Sequence, residues 1–139
     1  MEKDGTSSNA VIELSDLLNR IGPENGMNIK CTDVTNTLDI NDKKFKKEIE
    51  DGAVAVLRVN QSGEHYVLLT KIDEEYAYLF DPYYLPINCY NNDEDCEIIK
   101  DKPFEYNRKI TIKRLESLDA KDFSLVQNKS KQIVLIKRK

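Results

Sequence analysis

Glu64-His65-Tyr66-Val67-Leu68-Leu69-Thr70-Lys71-Ile72-Asp73-Glu74-Glu75-Tyr76-Ala77-Tyr78-Leu79-Phe80-Asp81-Pro82 holds two apolar runs of strand length around an acidic turn. Aliphatic and aromatic runs bounded by Asp and Glu read as a β-hairpin. The first run begins at the chain's one histidine, and the second ends at an aspartate. Side chains alternate between the faces of a strand, and directly opposed residues share a face. A three-residue loop, Ile72-Asp73-Glu74, sets His65 opposite Asp81, Val67 opposite Leu79 and Leu69 opposite Ala77. A two-residue turn shifts the register by one and sends His65 and Asp81 to different faces. The hairpin is thus compatible with a His–Asp contact without requiring it. The plainer alternative is that His65 is an ordinary residue at the start of a strand.

Outward from the hairpin, Ala53-Val54-Ala55-Val56-Leu57-Arg58-Val59 is a nearly continuous apolar run, as expected of a central strand covered on both faces. Upstream, Val11, Leu14, Leu17, Leu18 and Ile21 recur at helical spacing after the capping residues Thr6-Ser7-Ser8-Asn9, and Gly22-Pro23 ends that helix. A short strand is expected over Met27 to Val34. A short helix over Lys43 to Glu50 is capped by Asn41-Asp42, buries Phe45 and Ile49, and stops at Gly52. Downstream, Tyr83 to Asp101 is rich in Asn, Asp and Tyr and reads as a long loop. Arg108 to Ile112 reads as a strand, Lys113 to Ser117 as a helical turn, and Lys131 to Lys137 as a last strand. Tyr66, Tyr76 and Tyr78 suit the core or half-buried face of a sheet. The pattern predicts one α+β domain over 1–139, with a mainly antiparallel sheet and an N-terminal helix.

Composition narrows the function classes. The 139 residues are 40% hydrophobic and 33% charged, which describes a folded globular chain rather than a disordered one. A net charge of -4 lacks the basic face of a nucleic-acid binder, and Lys137-Arg138-Lys139 is too short to supply one. No apolar run approaches membrane-helix length, and no signal-peptide pattern opens the chain. Three cysteines without paired spacing suggest reduced thiols in a cytoplasm.

Imidazole beside carboxylate is the base and orienting group of a nucleophilic hydrolase, because the carboxylate fixes the ring's tautomer and direction. The run from His65 to Thr70 and the run from Tyr76 to Asp81-Pro82-Tyr83-Tyr84 resemble the His/Asp hairpin of papain-like cysteine peptidases of the double-glycine leader type. These are the bacteriocin-processing peptidases and their free-standing bacterial relatives. Gly5-Thr6-Ser7-Ser8 with its helix, and Asn107-Arg108-Lys109, look like the free-standing relatives too. The resemblance spans most of the chain and is most specific between His65 and Asp81. It implies a papain-like fold, with His65 as general base and Asp81 as its orienting acid. No cofactor and no metal are expected.

The family's nucleophile is a Cys followed by Gly-Pro at a helix start, with a Gln a few residues earlier for the oxyanion. Both lie upstream of the matched part, so the fold is expected to be incomplete at its N-terminal helical half. The missing segment is expected upstream, lost by truncation, or in a partner. Ile21-Gly22-Pro23 carries the Gly-Pro without the Cys. Cys31 falls in a predicted strand, while Cys89 and Cys96 fall in the acidic loop near Asp93, Glu94 and Asp95. None has the electropositive niche of a thiolate. Cys89, Cys96 and His65 make a poor metal set, without a Cys-x-x-Cys or second His. The expectation is a cysteine-peptidase-like domain with its base but no identifiable nucleophile, inactive as given. The alternative is a non-catalytic module on the same fold that binds peptide or protein. An uncovered sheet surface around Val54, Val56 and Val67 is expected to drive self-association.

Overall fold

Apolar at every position but Arg58, the run from Ala53 to Val59 becomes the middle of a sheet. The computed structural model describes residues 8–26, 28–35, 39–61, 64–83, 85–103, 105–119, 121–125 and 132–138. In chain order the elements are α1 (Ser8–Ile21), β1 (Ile29–Asp33), α2 (Lys43–Glu50), β2 (Val54–Asn60), β3 (Glu64–Ile72), β4 (Tyr76–Phe80), β5 (Cys96–Ile98), β6 (Arg108–Thr111), α3 (Ile112–Leu115) and β7 (Ile133–Arg138). A single 3-10 turn, Pro23–Asn25, follows α1. The seven strands form one sheet in the order β1-β7-β2-β3-β4-β6-β5, and every pairing is antiparallel. This is an α+β domain with a mostly antiparallel sheet. Among the described residues no helix is long and apolar enough to cross a membrane.

The two sheet faces are covered unequally. On one face, Ala55, Leu57 and Val59 of β2, Val67 and Leu69 of β3, Ala77 and Leu79 of β4 and Ile110 of β6 are buried. They join one core with Phe45 and Ile49 of α2, Ile112 and Leu115 of α3, and Phe123 and Leu125. Asp42 caps α2 by accepting the Lys44 N–H at 3.0 Å, and Gly52 ends it at φ +106°, where a side chain would be strained. The other face carries a smaller cluster, in which Val11 and Leu18 of α1 pack against Cys31, Val56, Tyr66, Val134 and Ile136. Asn19 ties α1 to β1 through both the N–H and the carbonyl of Cys31. Only part of the helix stripe is used, since Ile12, Leu14 and Leu17 are exposed, Leu14 by 55%.

Several expectations are corrected. Val67 does not belong to an uncovered surface. It points into the main core, while Val54 and Val56 are half-buried on the opposite face. The expected long loop contains β5, because Cys96 and Ile98 are apolar in alternation and find β6 as a partner. The helical turn begins at Ile112 rather than Lys113, with Thr111 as its cap. The helix cap expected at Thr6 and Ser7 lies outside the described residues.

The hairpin register also differs from the expected one. Asp73 donates its N–H to the Tyr76 carbonyl, so Glu74-Glu75 forms a two-residue turn, with Ile72 opposite Ala77 and Lys71 opposite Tyr78. Continued unbroken, that register would put His65 and Asp81 on different faces. A bulge at Thr70 intervenes, and beyond it Leu69 pairs with Leu79 and Leu68 with Phe80. One extra residue in one strand reverses the alternation. His65 thereby shares the face of Val67 and Leu69, which is also the face of Ala77, Leu79 and Asp81. Opposed pairs are offset by two from expectation, and Asp81 lies diagonal to His65.

Candidate functional site

The site begins where β4 ends. Asp81 is buried to 1% exposure, yet it follows the strand and has no sheet partner of its own. The Asn107 side chain takes that partner's place. Its Oδ1 accepts the Asp81 N–H at 2.8 Å, and its Nδ2 donates to the Asp81 carbonyl at 2.7 Å. Asn107 in turn donates its own N–H to the Leu79 carbonyl. The aspartate backbone is therefore fixed in both directions, which satisfies buried groups that are costly to leave unpaired.

Asp81 Oδ1 lies 2.8 Å from His65 Nε2 and also accepts the Tyr83 N–H at 2.9 Å. An oxygen that accepts a backbone N–H is suited to accept a second hydrogen bond, and in the neutral ring an Nε2 hydrogen donated to it would leave Nδ1 as the acceptor. Among the described residues nothing hydrogen-bonds Nδ1. The Tyr83 ring stands edge-on to the imidazole, with centroids 6.4 Å apart. On its other oxygen, Asp81 has no hydrogen bond, and Arg108 Nη2 lies 3.9 Å away. Arg108 is itself buried. It donates through Nη2 to the Tyr83 carbonyl at 2.6 Å and through Nη1 to the Asn107 carbonyl at 3.1 Å. Burial draws the guanidinium below its ordinary pKa, and the Asp81 charge opposes that.

His65 lines a cavity of about 400 Å³ with Gln61, Tyr83, Leu85, Cys89, Tyr90 and Asp122. The Tyr90 hydroxyl donates to Asp122 at 3.0 Å, and burial holds the phenol well above its usual pKa. A larger cavity, about 750 Å³, opens beside Asp73 and Glu74 at the opposite end of the hairpin, and its lining includes no histidine or cysteine. Volume alone does not mark a site, and the smaller cavity holds the imidazole with an open nitrogen.

The three thiols separate by environment. Cys31 lies buried in β1, and burial raises its pKa. Cys96 lies buried in β5. Burial first, and then the Asp93 and Asp95 charges, push its thiol up to about 12 against the pull of Arg114. Cys89 is exposed and lines the His65 cavity, but no hydrogen bond joins its sulfur to the ring. Among the described residues no group of three or more His, Cys, Asp or Glu side chains is placed to hold a metal ion.

The structure thus brings His65 and Asp81 together and leaves Cys31 and Cys96 apart from them. Sequence reasoning gave no role to Tyr83, Asn107 or Arg108 in holding the pair. Asn107 and Arg108 stood out only within a resemblance, and no spacing rule links an asparagine to an aspartate 26 positions earlier. No family model, curated protein or solved structure matches the chain.

Proposed function

We propose that this chain is a cysteine-peptidase-like domain of the papain-like, double-glycine leader type, with His65 as general base and Asp81 as its orienting acid. The observation that carries the reading is the 2.8 Å contact from His65 Nε2 to a fully buried carboxylate, which leaves Nδ1 open on a ring at a cavity wall. In such a site the base takes the proton of a thiol, the thiolate attacks a peptide carbonyl, and the imidazolium returns the proton to the leaving amine. Water then hydrolyses the acyl-thiol, with the same imidazole as base. Neither buried thiol suits the first step, and Cys89 is not hydrogen-bonded to the ring. The chain by itself is therefore expected not to turn over peptides.

The test separates the base from the missing sulfur. An activated ester such as p-nitrophenyl acetate needs only an oriented imidazole and water. The purified chain should hydrolyse it slowly, His65→Ala should abolish that rate, and Asp81→Asn should lower it. Ester hydrolysis unchanged in His65→Ala would sink the proposal. Peptide turnover abolished by His65→Ala would overturn the expected inactivity.

The second reading, a peptide- or protein-binding module without chemistry, is favoured by one observation. Ile12, Leu14 and Leu17 leave an apolar stripe on α1 facing solvent. Sedimentation at high concentration tests self-association, and a strictly monomeric chain would count against that surface as an interface between copies.

A further inference from the structure

We infer that Arg108 is a positioning residue for the His65–Asp81 pair, acting on the imidazole through the Asp81 carboxylate and the Tyr83 peptide. The inference rests on the proposed role of His65 as a base and adds the group that prepares its partner.

Three contacts carry it. Arg108 Nη2 sits 3.9 Å from Asp81 Oδ2, the carboxylate oxygen that has no hydrogen bond. The same nitrogen donates to the Tyr83 carbonyl at 2.6 Å, and the Tyr83 N–H donates to Asp81 Oδ1, the oxygen that holds the ring. Nη1 donates to the carbonyl of Asn107, whose side chain clamps the Asp81 backbone. One guanidinium therefore touches each structure that fixes the aspartate. A buried carboxylate without compensating charge is costly to keep ionised, and a neutral acid would orient the imidazole poorly. Arg108 supplies that charge at 2% exposure, where solvent screens little.

The single histidine makes the ring directly readable by nitrogen-15 NMR. In the unaltered protein the neutral ring should carry its hydrogen on Nε2. Arg108→Met removes the charge that keeps Asp81 ionised, so the neutral ring should lose its single Nε2–H form and show a mixture of the two tautomers. Arg108→Lys keeps the charge and should retain the Nε2–H form. Asp122, Tyr90 and Cys89 line the same cavity and remain in every variant. A purely structural arginine would lower the melting temperature in both variants and leave the tautomer unchanged. A neutral ring still wholly in the Nε2–H form in a folded Arg108→Met protein overturns the inference. Should that variant fail to fold, Arg108→Gln, neutral but able to reach the same carbonyls, carries the same comparison. An unaltered protein whose ring lacks the Nε2 hydrogen would instead remove the proposed base, whatever Arg108 does.

Discussion

Asn107 grips Asp81 by both ends of its backbone, at 2.8 Å and 2.7 Å, just where β4 runs out of sheet partners. A side chain here does the work of a strand. Asn107→Ala leaves a buried N–H and a buried carbonyl without partners, at a cost of about 2 kcal/mol. Asn107→Asp keeps the acceptor but turns an oxygen toward the Asp81 carbonyl, so it should cost as much or more. Urea unfolding measures the stability. His65-dependent ester hydrolysis should fall in both variants by more than the lost folded fraction explains.

The bulge at Thr70 is the second device that makes the site. Its hydroxyl donates to the Glu105 carbonyl at 2.8 Å, which anchors the extra residue to the segment leading into Asn107. Thr70→Ala should cost about 1 kcal/mol, the usual net worth of one hydrogen bond. Deleting Thr70 is a different matter. It removes the extra residue and leaves Leu69 opposite Leu79 and Ile72 opposite Ala77 in one regular ladder, so Val67, Leu69 and His65 keep their face and only the Glu105 anchor is lost. Thermal melts should show a modest loss for Thr70→Ala and a cooperative transition retained in the deletion, and a deletion without one would show that the bulge itself holds the fold.

These two devices mark where the sequence stops being legible. Periodicity, caps and breakers placed α2 at Lys43–Glu50 with Phe45 and Ile49 inward, and placed β2, the hairpin and the last strand to within a residue or two. They did so because each signal is local. The His65–Asp81 approach was readable as a compatible geometry only, since it depends on turn length. The structure has the two-residue turn that would have parted the pair, and a bulge that reunites them. A bulge at a threonine leaves no compositional trace. Strand β5 was missed for a related reason: three residues in an acidic loop become a strand only because β6 lies beside them.

The thiols should differ sharply in reactivity. Cys89 is exposed, whereas Cys31 and Cys96 are buried, and the Cys96 thiol is pushed to about 12 by burial and held in an Arg114 contact at 3.0 Å. Thiolate availability and access set alkylation rates together. Brief N-ethylmaleimide treatment at pH 7.5 should therefore modify Cys89 alone, and all three thiols should react in denaturant. Peptide mass mapping reads the result. Early labelling of Cys96 in the folded chain would contradict its placement in β5.

Acid should weaken this protein through two aspartates at its turns. For Asp73, burial acts upward, but the Tyr76 and Glu75 N–H groups, the Tyr78 hydroxyl and Lys109 prevail and lower the pKa below the ordinary 3.8. For Asp93, burial again acts upward and is outweighed by the Asp95 N–H and by Arg114, which donates to both carboxylate oxygens at 2.8 Å. A folded pKa below the unfolded one means that the unfolded chain binds more protons in the window between them. The contribution is thus complete above about pH 5 and is lost as pH falls through 3.8 to the lowered folded values. Melting temperature should drop across that range, and Asp93→Asn should start lower at pH 7 but lose less on acidification. An Asp93→Asn curve parallel to that of the unaltered protein would show that Asp93 contributes nothing to acid sensitivity.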